Sequence, residues 1–162
     1  MYQQNKFKCI ISKGNLKILS FNVEGLESEF NDPLFTDLLY AHAICLLYET
    51  WRCSDSKLAL PGLWDYSQIR QKTKKLGRHS GGITVICKEE IRAGLKVMNS
   101  KEGFIWMRLE SDFFSLNNDL FICASYIPPE YSSNNISKKT DYFQSLTDSL
   151  INYSNQGNIM LL

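Results

Sequence analysis

Two apolar segments of this chain each run out on a side chain that carries an oxygen, and that recurrence narrows the folds open to it. Leu16–Val23 (LKILSFNV) runs out at Asn22, and Ile44–Trp51 (ICLLYETW) runs out at Glu49. In the first, Lys17, Leu19, Phe21 and Val23 share one face and Leu16, Ile18, Ser20 and Asn22 the other, the period-two alternation of a strand. Ala43–Tyr48 is almost wholly apolar, as expected of a strand covered on both faces. Between them Asn31-Asp32-Pro33 starts a helix, with Asp32 as N-cap and Pro33 at the first helical position. Leu34, Leu38 and Ala41 keep helical spacing, so this helix ends near Tyr40 to His42. Strand, helix, strand is a βαβ-like opening. Open α/β sheets bind ligands beyond the carboxyl ends of their strands, which is where Asn22 and Glu49 stand.

The later segments read mostly as strands: Trp64–Arg70, Gly82–Cys87, Phe104–Leu109 and Leu120–Ile127, the last stopped by Pro128-Pro129. Lys138–Tyr153 reads as a helix whose stripe is Phe143, Leu146, Leu150 and Tyr153. Gly157-Asn158 ends the helical region, and Ile159–Leu162 begins another strand that is expected to be buried. The expected organisation is an N-terminal extension over residues 1–15 and one α/β domain over residues 16–162, with no internal repeat.

Composition excludes several classes. A net charge of +1 leaves no global field to gather polyanions. No apolar stretch reaches bilayer length, and the N-terminus lacks the long apolar segment of a signal peptide. Five cysteines without a CxxC pair argue against a disulfide framework and against structural zinc. Cys45, Cys87 and Cys123 lie inside apolar strands, as buried thiols do, which fits a reducing compartment, nucleus or cytosol.

Few residues offer chemistry. Glu49 must reach water or meet a cation, because burying a carboxylate without a partner is costly. Mg²⁺ takes one or two protein carboxylates and fills its remaining positions with water and phosphate oxygens, so Glu49 is the candidate metal ligand. The simpler reading is a solvated strand-end glutamate. The Asn22 amide could hold a phosphate oxygen or orient a carboxylate, or simply close a turn with Gly25. Glu24 could add a second carboxylate, although a turn residue is usually solvated. The hydroxyl of Tyr126, at the end of FICASYIPP, could donate to a phosphoryl oxygen or only half-bury a strand end. Arg70 to His79 (RQKTKKLGRH) carries five basic residues and no acid, and Ser80-Gly81-Gly82 follow. Arg70, Arg78 and Ser80 are therefore candidates for contact with a phosphate backbone, against the alternative of a solvated loop and a tight turn. His42 and His79 have no partner in sequence that suggests a catalytic pair.

Taken together, LKILSFNVEGL, AICLLYETW, GRHSGGITVICK, FIWMRLES, LFICASYIPPEYS and GNIMLL resemble the endonuclease/exonuclease/phosphatase superfamily. Within it the chain is most similar to the endonuclease domain of non-LTR (LINE-type) retrotransposons, on Glu-Thr-Trp after a strand, Gly-Arg-x-Ser-Gly-Gly and Tyr-x-Pro-Pro. The resemblance implies a four-layer α/β sandwich of the deoxyribonuclease I type, incomplete at the C-terminus. It implies Mg²⁺-dependent hydrolysis of a phosphodiester, with Mn²⁺ as an alternative ion and DNA as the partner. By the same resemblance Glu49 holds the metal, Asn22 is the active-site asparagine and Tyr126 contacts the phosphate. Ala43 and Tyr48 stand where relatives usually have aspartate and glutamine. The family continues past Gly157-Asn158 into Gly-Asp-Phe-Asn and a later Asp-His pair, which this sequence does not contain. Without that base the chain is expected to be inactive, since a general base typically contributes about 10²–10⁴ in rate. The alternatives are a non-catalytic mobile-element remnant and a nucleotide, inositol-phosphate or sphingolipid phosphodiesterase of the same superfamily.

Overall fold

The two strands that open the sequence lie side by side in a computed structural model that describes residues 16–70, 79–101, 103–127 and 142–162. β1 (Ile18–Asn22) pairs in parallel with β2 (Ile44–Tyr48), Ile18 opposite Ile44 and Asn22 opposite Tyr48. Their connection holds one helical turn, α1 (Leu26–Glu29), and the helix α2 (Pro33–Tyr40). The Asp32 side chain accepts the Leu34 backbone N–H at 2.9 Å, which is the expected N-cap, with Pro33 just inside the helix. His42 lies just past α2, its Nδ1 2.8 Å from the Leu38 carbonyl, so it serves the helix end.

β3 (Leu63–Gln68) and β4 (Ile83–Lys88) complete the first sheet, in the order β1-β2-β4-β3, with β4 antiparallel to both neighbours. A 3₁₀ turn over Glu89–Gly94 leads into the second sheet. That sheet runs β5 (Leu95–Lys101), β6 (Phe104–Leu109), β7 (Leu120–Ser125) and β8 (Asn158–Leu161) in simple order. A short α3 (Ser111–Phe114) links β6 to β7, and α4 (Tyr142–Ser154) links β7 to β8, which pair in parallel. β5 is an edge strand with a register shift between Val97 and Asn99, and its lysines and weak alternation hide it from a pattern reading.

The period of two sorts the apolar side chains into layers. Ile44, Leu46, Ile83 and Val85 of the first sheet meet Ile105, Met107, Ile122 and Ala124 of the second in a central core. The outer face of the first sheet, with Cys45, Leu47 and Ile86, packs under Leu26, Phe35 and Leu39 of the helices. The outer face of the second, with Trp106, Phe121 and Cys123, packs under Tyr142 and Tyr153 of α4. The result is helix, sheet, sheet, helix: a four-layer α/β sandwich, as the resemblance implies.

Three expectations need correction. Phe143 is 69% exposed, and Tyr142 turns inward in its place, because the face that meets the sheet runs through Tyr142, Leu146, Leu150 and Tyr153. The strand at the end of the sequence is present but not buried, since β8 lies at the edge of its sheet with Met160 and Leu161 exposed. The third predicted strand begins at Leu63 and ends at Gln68, so Arg70 lies beyond it. Residues 1–15, the Pro128-Pro129 stop and positions 138–141 at the expected helix start lie outside the described residues. Among the described residues no helix is long and apolar enough to cross a membrane.

Candidate active site

Asn22, Glu24, Glu49, Trp51, Ser80 and Tyr126 line one open cleft of about 420 Å³. Asn22 ends β1, Glu24, Glu49 and Trp51 come from the loops that leave β1 and β2, Ser80 comes from the approach to β4, and Tyr126 follows β7. Both sheets thus contribute strand ends to the same cleft.

The loop after β2 is clamped from two sides. On one side Val23, Gly25 and Leu26 donate backbone N–H groups to the carbonyls of Tyr48, Glu49 and Thr50 at 3.0, 2.9 and 3.0 Å. On the other, Trp51 N–H donates to the Gly81 carbonyl at 2.9 Å and Thr50 N–H to the Gly82 carbonyl at 3.4 Å. Between these clamps Glu49 and Trp51 hold left-handed backbone, with φ of 54° and 52°, and Glu24 across the turn has φ 48°. Non-glycine residues enter that region at a cost, and such residues cluster where a structure fixes a functional geometry. Glycine is required at two contact points. A Cβ on Gly25 would stand 2.8 Å from the Trp51 ring, and one on Gly81 would stand 2.6 Å from the Arg70 guanidinium. Ser80-Gly81-Gly82 therefore docks onto the Glu49 loop through its glycines and offers the cleft only Ser80.

The clamp fixes the carboxylate. Glu49 Oε2 accepts the Trp51 indole N–H at 2.8 Å and the Gly81 backbone N–H at 2.7 Å. Partial burial alone would raise the Glu49 pKa, but hydrogen bonds from Tyr126, Trp51 and Gly81 and the nearby Arg70 charge outweigh it and hold the group below its ordinary 4.5. Glu49 is therefore ionised at neutral pH. Tyr126 mirrors it: burial first, then its hydrogen bond to Glu49 and that residue's charge, push the phenol up to about 12, so it stays a proton donor. The Arg70 guanidinium lies 5.7 Å from the Tyr126 ring centre.

Asn22 both turns the chain and faces the cleft, since its Oδ1 accepts the Glu24 N–H at 3.4 Å. Glu24 is exposed, as its turn position suggests, yet lines the cleft beside Glu49. Arg70 is only 8% exposed and is not among the cleft-lining residues; it backs the Glu49–Tyr126 pair from behind. Arg78 lies outside the described residues. Sequence reasoning overlooked Trp51 as a site residue, although it follows Glu49 by two positions. It also overlooked a buried network behind the loop, where the Arg52 guanidinium meets Asp65 at 3.8 Å and Ser67 Oγ at 2.5 Å.

Among the described residues no group of three or more His, Cys, Asp or Glu side chains gathers as a metal centre. A magnesium-type site does not need one. Two carboxylates and an amide oxygen around an open cleft make an all-oxygen donor set with room for water and phosphate ligands, so the residues present fit that ion.

No protein-family model matches the sequence, and no curated protein matches it. Solved structures do. An AP endonuclease from Leishmania major superposes with a TM-score of 0.58 at 13% identity, over 82% of this chain and 46% of that one. The 3′ phosphatase NExo from Neisseria, solved with product DNA hairpin, gives 0.59 at 14% identity, over 91% of this chain and 56% of that one. The endonuclease domain of TRAS1, a telomere-specific non-LTR retrotransposon, gives 0.51 at 9% identity, over 90% and 58%. The chain shares its fold with these enzymes and spans about half their length.

Proposed function

We propose that the cleft at Glu49 is the cation- and phosphate-holding part of a divalent-metal phosphodiester hydrolase that acts on DNA. The observation that carries this reading is the meeting of Asn22 and Glu24 at the end of β1, Glu49 after β2 and Tyr126 after β7, three separate strand ends, in one cleft. Glu49, kept ionised, would hold Mg²⁺ (or Mn²⁺), with Glu24 as a second carboxylate. When bound, the ion would supply Lewis-acid stabilisation of charge on a phosphoryl oxygen. The Tyr126 hydroxyl, protonated across the neutral range and hydrogen-bonded to Glu49, would turn its one proton to a phosphate oxygen when substrate and cation are bound. Asn22 would orient the same group through its amide, and Ser80 and Arg78 would contact the phosphate backbone. Arg70 would act by steadying Tyr126 and Glu49.

DNA is favoured as substrate by the shared fold with DNA-processing enzymes, one of them solved with a DNA product. The finer reading, an endonuclease domain of a non-LTR retrotransposon, rests on the sequence resemblance and on the fold shared with the TRAS1 domain. Among the described residues that line the cleft none is a histidine, so these residues supply no imidazole base. The chain alone is therefore expected to bind DNA in an Mg²⁺-dependent way and to nick supercoiled plasmid no faster than buffer.

Fluorescence anisotropy of a labelled duplex tests the binding. Mg²⁺ should tighten binding by the wild-type chain and have no such effect on Glu49→Gln. Equal Mg²⁺ response in both proteins would overturn the reading of the cleft. Glu49-dependent nicking by the chain alone would show instead that these residues suffice for catalysis, and the expectation of inactivity would fall.

A further inference from the structure

The indole of Trp51 does more than fill space beside Glu49. Two N–H donors, Trp51 Nε1 at 2.8 Å and Gly81 N at 2.7 Å, converge on the same carboxylate oxygen, Oε2. A carboxylate oxygen offers two lone-pair sites in its plane, so these two donors fill Oε2; the Tyr126 hydroxyl also donates to Glu49, and a cation is left with the remaining lone pair of Oε1. The indole cannot swing away easily. Its ring packs on Gly25 at a distance where any side chain would collide, and its own backbone sits at φ 52° with its N–H tied to the Gly81 carbonyl at 2.9 Å.

We infer that Trp51 is a positioning residue that restricts Glu49 to one-oxygen coordination and thereby sets the cleft's preference for a small divalent cation over a large one. The chemistry follows from ion size. Mg²⁺ is octahedral and compact and takes carboxylates through single oxygens; Ca²⁺ takes six to eight oxygens and readily accepts both oxygens of one carboxylate. Blocking Oε2 removes the mode that favours Ca²⁺ and leaves intact the mode that suits Mg²⁺. Partners that orient a ligand in this way typically change metal affinity by about 10–100-fold when removed. This inference rests on the reading of Glu49 as a cation ligand, and the experiment separates the two.

Calorimetric titrations with Mg²⁺ and with Ca²⁺ are made on the wild-type chain, Trp51→Phe and Glu49→Gln. Phenylalanine keeps an aromatic ring against Gly25 and deletes only the donor. The preference for Mg²⁺ over Ca²⁺ should fall by about tenfold in Trp51→Phe, while Glu49→Gln binds neither ion at the cleft. Loss of binding in Glu49→Gln with an unchanged Mg²⁺/Ca²⁺ ratio in Trp51→Phe would overturn the inference and leave the cation site standing. Equal Mg²⁺ affinity in wild type and Glu49→Gln would sink the cation site and the inference together. Should Trp51→Phe not fold, NMR of the unmutated chain decides. Among the indole N–H signals of its three tryptophans, that of Trp51 should shift on Mg²⁺ saturation while those of Trp64 and Trp106 stay. A stationary Trp51 signal under Glu49-dependent Mg²⁺ binding would overturn the proposal.

Discussion

The unit β1–α2–β2 and the unit β7–α4–β8 are built alike: in each, a helix lies between two strands that pair in parallel in one sheet. Their fates differ. β2 lies between β1 and β4 and is buried along its whole length, whereas among the described residues β8 pairs with β7 alone and leaves Met160 and Leu161 exposed. The loop after β2 is clamped by Gly25 on one flank and Gly81-Gly82 on the other, and it carries the strained residues of the cleft. β7 contributes Tyr126 to the same cleft, and no residue of β8 lines it. An apolar run is thus not buried by its own composition. It is buried when a strand lies on each side and a layer on each face, and a polar site forms where such a strand ends against rigid neighbours.

The comparison can be broken most forcefully by mutation in the two second strands. Leu46→Ala in β2, at a fully buried position, should cost about 2–5 kcal/mol. Leu161→Ala in β8, at a 47% exposed position, should stay within about 0.5 kcal/mol. Midpoints of urea unfolding at constant slope measure both, and equal losses would show that β8 is as enclosed as β2.

Two glycines sharpen the role of the clamp. Gly62 and Gly81 have similar backbones, with φ of 69° and 71°, but a Cβ on Gly62 meets nothing within 4 Å while one on Gly81 meets Arg70. Gly62→Ala should cost about 1–2 kcal/mol for left-handed backbone alone. Gly81→Ala should cost more, and should also weaken Mg²⁺ binding because the N–H that holds Glu49 moves. Identical losses in the two variants would remove the clamp from the account. At the start of α2, Asp32→Ala should cost about 1 kcal/mol by orphaning the Leu34 N–H, a smaller loss that leaves the cleft untouched.

Acid gives the smallest effect. Because the Glu49 pKa is depressed in the folded chain, the unfolded chain takes up the proton first as pH falls. The stabilisation is present above the ordinary carboxylate value of 4.5 and is lost as pH drops through the lower folded value. The stability difference between wild type and Glu49→Gln should therefore shrink on acidification from neutrality to below that range. A difference that does not vary with pH would mean that the hydrogen bonds to Glu49 do not favour its charged form.

Much of this architecture was legible in the sequence. The N-cap at Asp32, the buried run of β2 and the alternation of β1 each follow from local rules, and the structure has all three. The residues that signalled an interior, Cys45, Cys87 and Cys123, are buried. What escaped depends on partners distant in sequence. β5 is an edge strand with a bulge, so its pattern is diluted. Phe143 and Tyr142 differ by one position on the helix, and only the site of Gly103, whose added Cβ would touch the Tyr142 ring at 2.8 Å, shows which one turns inward. Trp51, Gly81 and the Arg52–Asp65 pair take their roles from contacts spanning up to some thirty residues, which no window along the chain contains. Asn22, Glu49 and Tyr126 were picked as strand-end residues and stand together in the cleft, while Arg70, picked from a charge run, sits behind it.

Paramagnetic broadening by Mn²⁺ in the amide NMR spectrum tests most directly whether these distant segments form one cation site. Substoichiometric Mn²⁺ should broaden the signals of Asn22, Glu24, Glu49, Trp51 and Gly81 together with Tyr126, and Glu49→Gln should abolish the effect. Broadening centred elsewhere, for example on the acidic pair Glu89 and Glu90 beside the separate cleft at Lys88, or unchanged in Glu49→Gln, would contradict the account.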